Sequence, residues 1–305
     1  MSRAVVHESF GGPEVLELRE VPEPHAGPGE VRVRVAAAGL NPMDWMLAAM
    51  PELARAFGYA VPSGFGYDLA GAVDEVGEGV AGFAAGDRVY GGALGRAVAD
   101  YAVVKPEDGL WRTPEGISDE VASTLPVAGR TADAALNAIG LQAGDTVLIG
   151  GAAGGVGVFA VQLARLRGAA VIGTGSNSTF GFLRGLGAQP VAYGSGLADR
   201  VRALGPGGVT AASALVGTET IEVALALGVP PGRTSAIAAG PNPPGGVRAT
   251  GGRDAPPDAL DRISSAIVAG TLTVPIAATF PVEQIREAVT LQRGGHVHGK
   301  IVVTL

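Results

Sequence analysis

The sequence contains no cysteine. Disulfides, thiolate metal sites and a cysteine nucleophile are therefore excluded. Aromatic residues are sparse at 5%, and charged residues make up only 17%. There is no Lys/Arg run and the formal net charge is −7, so nucleic acid is not an expected partner. No apolar stretch reaches the roughly 18 residues of a membrane span. The N-terminus, MSRAVVHESFGGPE, lacks an apolar signal core. A cytoplasmic protein without membrane attachment is the expectation. No sequence repeat of solenoid period is found. What the chain has in quantity is glycine, 49 residues, with 21 prolines, spread along its length as turn punctuation. With 47% hydrophobic content over 305 residues, a large core and two domains are expected.

The first 125 residues read as strand and turn. Val31, Val33 and Val35 alternate with Arg32 and Arg34, the pattern of a strand with one wet face. Turn signals recur at Gly11-Gly12-Pro13, Pro22 to Pro28, Gly77 to Gly82 and Gly86-Asp87. Short strands at this spacing predict an all-β unit. The texture then changes to alternating strand and helix. TVLIG (146–150) is a short apolar run, as expected of a strand buried on both faces. The glycine loop 151–157 follows it. In FAVQLARLR, Phe159, Ala160, Leu163 and Ala164 fall on one helical face, and AAVIGTG reads as the next strand. Strand, helix and strand fill about thirty residues, the size of a βαβ unit. Further on, FGFLRGLGA, LADRVRAL, ETIEVALALG, DALDRISSAIVAG and VEQIREAVTLQ read as helices. PVAY, RTSAIAAG, LTVPIAA and KIVVTL read as strands, and PNPPGG (241–246) is a rigid connection.

The strongest chemical signal is Gly151-Ala152-Ala153-Gly154-Gly155-Val156-Gly157. The G-x-G-x-x-G pattern is weak alone, and here Ala152 stands at its first glycine. The context adds specificity: a strand before it, a helix beginning within it and a second strand after. Small residues let backbone approach a pyrophosphate, and the helix N-terminus offers unpaired N–H groups. NAD sites commonly carry Asp or Glu about 20 residues beyond the motif. This sequence has no carboxylate between Asp145 and Asp199. The second strand ends instead in Gly173-Thr174-Gly175-Ser176-Asn177-Ser178, whose hydroxyls and amide suit a 2′-phosphate. NADPH is therefore expected over NADH, although no Lys or Arg lies beside these hydroxyls and Arg184 is the nearest base in sequence. The same polar residues can also serve to cap the next helix.

The segment DTVLIGGAAGGVGVFAVQLARLRGAAVIGTGS resembles the cofactor segment of the zinc-independent quinone oxidoreductases, a branch of the medium-chain dehydrogenase/reductase superfamily. AAAGLNPMDW (36–45), PSGFGYDLAGAVDEVGEGVAGFAAGDRVYG (62–91), LPVAGRTADAALNAIGLQAGD and GGHVHGKIVV extend the resemblance over nearly the whole chain. It implies an α/β protein with a GroES-like β-rich catalytic domain over 1–125. A Rossmann doubly wound parallel-sheet NADP-binding domain would cover 126–254, and 255–305 would return to the catalytic domain. It also implies an active site in the cleft between the domains, and a homodimer.

The resemblance implies roles for single residues. Ala153, Gly154, Gly155, Val156 and Gly157 would hold the cofactor pyrophosphate. Thr131 would approach the nicotinamide, and Ser176 and Tyr193 would contact the 2′-phosphate. Val216, Gly217, Ala239 and Gly240 would flank the nicotinamide. Asn41 would face the cofactor, where zinc-dependent relatives place a cysteine, and Lys300 would lie near the cleft. Asn41, Asp44 and Tyr67 are the candidate catalytic residues, with Trp45 and Asp68 beside them; Tyr67 reads equally as a packed aromatic. The segment VTAASALVG lacks an acidic residue that relatives often carry. The proline-rich loop after Gly240 and the stretch PMDWMLAAMPELARAFGYA also depart from the pattern.

No metal is expected, since His296-x-His298 is only a pair and a closed site needs more ligands. The chemistry implied is hydride transfer from NADPH to a quinone or similar small-molecule acceptor. There the protein mainly positions the reactants and excludes water. An enoyl or alkenal reductase of a biosynthetic pathway is the alternative, and it would need a proton source at the carbon next to the carbonyl. A non-catalytic NADPH-binding sensor or a structural protein is the alternative of another class.

Overall fold

A computed structural model of the chain describes residues 1–204, 207–240 and 242–305. Pro241, the first residue of the PNPPGG connection, lies outside the described residues. The chain forms two compact units, Met1–Val127 with Ile276–Leu305, and Ala128–Pro275.

The first unit is organised by the long strand Val31–Leu40. On one side it pairs antiparallel with Lys300–Thr304, which runs parallel to Ile276–Pro281. On the other side it pairs with Asp68–Val76, and the sheet continues through Arg88–Gly92 to Leu110–Arg112, while Tyr101–Val104 pairs with residues 31–34 on the same side as Lys300–Thr304. A smaller sheet joins Glu17–Val21, Ser2–His7 and Ser63–Gly64. The alternation in the long strand holds. Val31, Val33 and Val35 are buried and pack with Leu69, Val73 and Val89. Arg32, between them, reaches out to Asp74 at 2.8 Å. Register positions the chemistry: Leu40 pairs with Ile301, and Gly39 pairs with Asp68. Lys300, Asn41 and Asp68 therefore meet at one end of the central strand.

The all-β expectation for this region is corrected by helices Pro42–Ala49 and Pro51–Ala56. Each starts with proline at its first position, where the missing N–H costs no hydrogen bond. In the first, the Asp44 carboxylate also accepts the Asn41 N–H at 2.7 Å, one half of a capping box. The Asp44 N–H also bonds the Asn41 carbonyl at 3.0 Å.

In the second unit every strand pairing is parallel. The order across the sheet is Gln189–Ala192, Ala170–Gly175, Thr146–Gly150, Ala211–Ala214, Thr234–Ala236, Arg248–Ala249. The first strand in sequence thus has the second and third on one side and the fourth, fifth and sixth on the other, the doubly wound order. The helix after the glycine loop is Gly157–Leu166, and it is buried all round from Gly157 to Ala164 rather than on one face. On its far side Gln162 binds Thr273 three times: Nε2 donates to the carbonyl at 2.8 Å, and Oε1 accepts the N–H at 2.9 Å and the hydroxyl at 3.3 Å.

That clasp also shifts one expectation near the C-terminus. The strand read as LTVPIAA starts only at Ile276, since Thr273 is engaged by Gln162 and Pro275 has no N–H for a ladder. Ile276–Leu305 group with the first unit. Helix Ala259–Val268 belongs to the second unit, where Ile263 packs over Gly129.

Candidate functional site

The residues expected to hold a dinucleotide lie at the carboxyl ends of the parallel strands. Gly151 to Gly157 follow Thr146–Gly150, Ser176 follows Ala170–Gly175 and Tyr193 follows Gln189–Ala192. Val216 and Gly217 lie just past Ala211–Ala214, and Ala239 and Gly240 past Thr234–Ala236. The glycine loop sits at the central strand, where the chain order reverses. That is the point at which ligands bind in open α/β sheets.

The loop has a packed side and an open side. Ala152 is fully buried and lies against Gly173 of the neighbouring strand, and the Gly151 N–H donates to Thr174 Oγ1 at 3.2 Å. A methyl on Gly157 would stand 2.5 Å from the Ala152 carbonyl carbon and closer still to the Gly151 oxygen, so helix and strand approach as only glycine permits. Residues Ala153 to Val156 are half-buried. A methyl on Gly154 would meet nothing nearer than the Gly151 oxygen at 3.4 Å. The open side is thus a cradle of small residues at the positive, N-terminal end of a helix of ten residues. It fits a pyrophosphate.

Around this cradle Ser176 is half-buried and its Oγ shares a hydrogen bond with Ser178 Oγ at 2.8 Å. Tyr193 and Val216 are exposed, at 52% and 61%. Gly217 and Gly240 both take positive φ, and the Gly217 N–H donates to the Ala238 carbonyl, which draws the ends of two strands together. Thr131 is buried in helix Leu125–Ala138, with Gly252 beside its hydroxyl.

The second group lies in the first unit. Asn41, Asp44, Asp68 and Lys300 are all buried. Lys300 Nζ donates to the Leu40 carbonyl at 2.9 Å and to Asn41 Oδ1 at 2.6 Å. Asn41 Nδ2 donates to Asp68 Oδ2 at 2.8 Å, and the Asp68 carboxylate also accepts the Val127 N–H at 3.1 Å, in the first turn of helix Leu125–Ala138. The Asp68 charge therefore lies at the positive end of that helix. Asp44 differs. Its Oδ1 is buried without a hydrogen-bond partner, and burial pushes its carboxyl up to about 7, with the Asp68 charge adding to the rise. Burial likewise lowers the Lys300 ammonium, against the pull of Asp68 and Asp44.

This has a measurable consequence. Asp44 in the folded chain holds its proton up to about 7, against 3.8 for an ordinary aspartate, so the native state binds more protons than the unfolded one between those values. Asp44 thus contributes stability at low pH that is lost as pH rises through this window. Asp44→Asn keeps an oxygen for the Asn41 N–H and removes the titration. Its stability relative to the parent is expected to rise by about 2 kcal/mol from pH 5 to pH 7.5. Urea unfolding at both pH values measures this, and a pH-independent difference would refute the assignment.

The two remaining candidates are packed aromatics. Tyr67 is half-buried with its ring over Gly92, where any side chain would collide with it. Trp45 lies 5.3 Å beneath the Arg293 guanidinium, with Nε1 buried and unpartnered. Among the described residues no group of three or more His, Asp or Glu is placed to hold a metal ion.

Residues 27–115 match the alcohol dehydrogenase GroES-like domain, and residues 186–303 match the zinc-binding dehydrogenase model. A quinone oxidoreductase from Coxiella burnetii is 30% identical. It superimposes with a TM-score of 0.87 over 100% of this chain and 99% of that one. The chain belongs to the quinone oxidoreductase family of the medium-chain dehydrogenase/reductases. Two further structures resemble this family member across its length. A mycobacterial protein solved with NADPH is 26% identical, with a TM-score of 0.87 over 100% of both chains. The CurK enoyl reductase is 27% identical, with a TM-score of 0.88 over 99% of both. The chain spans less than two thirds of the length of the curated relatives it matches, 10%, 60% and 54% for the first three. The GroES-like and Rossmann α/β architecture expected from the sequence is the one observed. Among the described residues no helix is long and apolar enough to cross a membrane.

Two features of the site escaped sequence reasoning. The Lys300–Asn41–Asp68 chain joins residues far apart in sequence, and only strand register brings them together. Arg200, in helix Leu197–Leu204, wraps the turn that carries Tyr193, and nothing in the spacing of LADRVRAL signals it.

Proposed function

We propose that this chain is an NADPH-dependent oxidoreductase that reduces quinones or similar activated small-molecule acceptors without zinc. The observation that carries the reading is the open glycine cradle at the sheet's reversal point, flanked by Ser176 and Tyr193 on adjacent strand ends. Their strands are in register, Gly175 with Ala192, so the two side chains follow neighbouring positions. The NADPH held by the mycobacterial relative supports the same choice of cofactor.

NADPH, when bound, supplies the hydride. The residues of this chain do the rest: Ala153 to Gly157 bind the pyrophosphate, Ser176 and Tyr193 take the 2′-phosphate, and Thr131, Val216, Gly217, Ala239 and Gly240 flank the nicotinamide. Asn41 and Lys300 supply a fixed polar group toward the cofactor, and Asp44 and Tyr67 are the candidate pocket residues. A reduced quinone leaves as an anion that solvent protonates, so this chemistry needs no dedicated acid. The absence of cysteine removes the thiolate ligands of a zinc site. A cytoplasmic homodimer completes the reading, with light scattering on the purified chain as the check of its assembly.

The likeness to the CurK enoyl reductase favours a second reading, reduction of an α,β-unsaturated carbonyl. Parallel assays with NADPH and NADH, an ortho-quinone and an enone separate the two. The expected result is quinone turnover without added metal, with kcat/KM for NADPH at least about tenfold above NADH, a difference of 1.4 kcal/mol. Preference for NADH would overturn the cofactor assignment. Turnover of the enone alone would establish the second reading. Tight NADPH binding with no turnover of either acceptor would favour a sensor.

A further inference from the structure

A 2′-phosphate carries up to two negative charges, yet the sequence offers no base beside Ser176. The structure places an arginine on the turn of the neighbouring strand end. Arg200 donates to four consecutive carbonyls: Ala192 at 2.8 Å, Tyr193 at 3.3 Å, Gly194 at 2.9 Å and Ser195 at 2.7 Å. Its Nε also reaches the Ala192 oxygen at 3.1 Å. On the N–H side of the same turn, Glu219 Oε1 accepts the Gly194 N–H at 2.7 Å. The turn is therefore clamped on both its carbonyl and its N–H groups, while the Tyr193 side chain at its centre stays exposed. Gathering four carbonyl oxygens onto one guanidinium also neutralises dipoles that would repel a phosphate.

Among the described residues Arg200 bonds only main-chain oxygens and forms no ion pair with a carboxylate. Ala192, its nearest anchor, is the register partner of Gly175, the residue before Ser176. The turn that Arg200 clamps thus leaves its strand at the position beside the one that Ser176 follows. A turn at the end of a parallel strand does not need a five-donor fork to close. Arg233 shows the ordinary structural use, where carbonyls of Ile139 and Gly140 are shared with a carboxylate, Asp145.

We infer that Arg200 is a positioning residue for cofactor selectivity: by clamping the 192–195 turn it fixes Tyr193 against a 2′-phosphate held with Ser176. This rests on the NADPH reading above. The fork is the working part. A lysine ammonium is a point charge that cannot bridge four carbonyls.

The test is calorimetric binding of 2′,5′-ADP and of 5′-AMP, which differ only in the 2′-phosphate, to the full chain and its variants. The parent is expected to bind 2′,5′-ADP at least about tenfold more tightly than 5′-AMP. Arg200→Gln and Arg200→Lys are each expected to lose about tenfold in 2′,5′-ADP affinity with 5′-AMP unchanged. Arg200→Gln combined with Tyr193→Ala is expected to bind 2′,5′-ADP no more weakly than Tyr193→Ala alone, as coupled residues do. If Arg200→Gln fails to fold, Arg200→Lys carries the same comparison. Equal loss of both nucleotides, or wild-type selectivity in Arg200→Lys, overturns the positioning role and leaves the NADPH reading standing. A parent that does not distinguish the two nucleotides overturns both.

Discussion

Lys300→Met is expected to lower the unfolding free energy at pH 7 by about 3–5 kcal/mol, the usual cost of stranding a buried charge. Lys300 is 2% exposed and Asp68 is fully buried. With the ammonium gone, Asp68 keeps its hydrogen bonds from Asn41 and Val127 but loses the cation that balances it. Asn41 Oδ1 and the Leu40 carbonyl lose a donor at the same time. The partner experiment is Lys300→Met with Asp68→Asn. Removing both charges is expected to recover part of the loss, because an apolar replacement of a buried pair is often close to neutral. Chemical denaturation of the two variants measures both values. A single-variant loss below about 1 kcal/mol would mean that Lys300 is not the counter-charge of Asp68.

The second large effect separates the two jobs of the glycine loop. Gly157→Ala forces a methyl into the backbone of Gly151 and Ala152, and is expected to cost about 1–3 kcal/mol of stability through overpacking. Gly154→Ala meets only an ordinary contact at 3.4 Å, so its melting temperature should match the parent. Its methyl would instead occupy the open cradle, and NADPH affinity is expected to fall about tenfold or more. Thermal melts and fluorescence titration with NADPH check both. If Gly154→Ala bound NADPH normally, the pyrophosphate would have to lie elsewhere, and the proposed use of the sheet edge would fail. Equal melting losses for both variants would show that the loop is structural along its whole length.

The contrast between these glycines marks how far sequence reasoning carries. Both stand at motif positions, and the string GAAGGVG treats them alike. Only the backbone shows that one is enclosed by the crossing of strand and helix and the other is open. Asn41 and Asp44 gave a similar mixture. Proline at 42 and an acid at 44 suit a helix start, whereas the turn-rich texture of the first 125 residues pointed to an all-β unit. The local hydrogen bond from the Asn41 N–H to Asp44 decided in favour of a helix. In LTVPIAA the apolar content predicted a strand, and the Gln162 clasp on Thr273 delayed its start.

What the sequence determined by itself was local: the βαβ unit and its glycine loop, the alternation of Val31, Val33 and Val35, the want of thiolate ligands, and the strand-end hydroxyl at Ser176. Each of these is written in neighbouring residues, because helix and strand periods and close backbone approach depend on short stretches of chain. Tertiary structure decided what depends on register and burial. It joined Lys300 to Asn41 and Asn41 to Asp68 at one end of a strand, and raised the Asp44 carboxyl by burying it. It also set the Arg200 guanidinium under the turn of Tyr193. Charges and hydrogen bonds act over a few ångströms in space whatever their separation in sequence, so their partners become known only when the chain is folded.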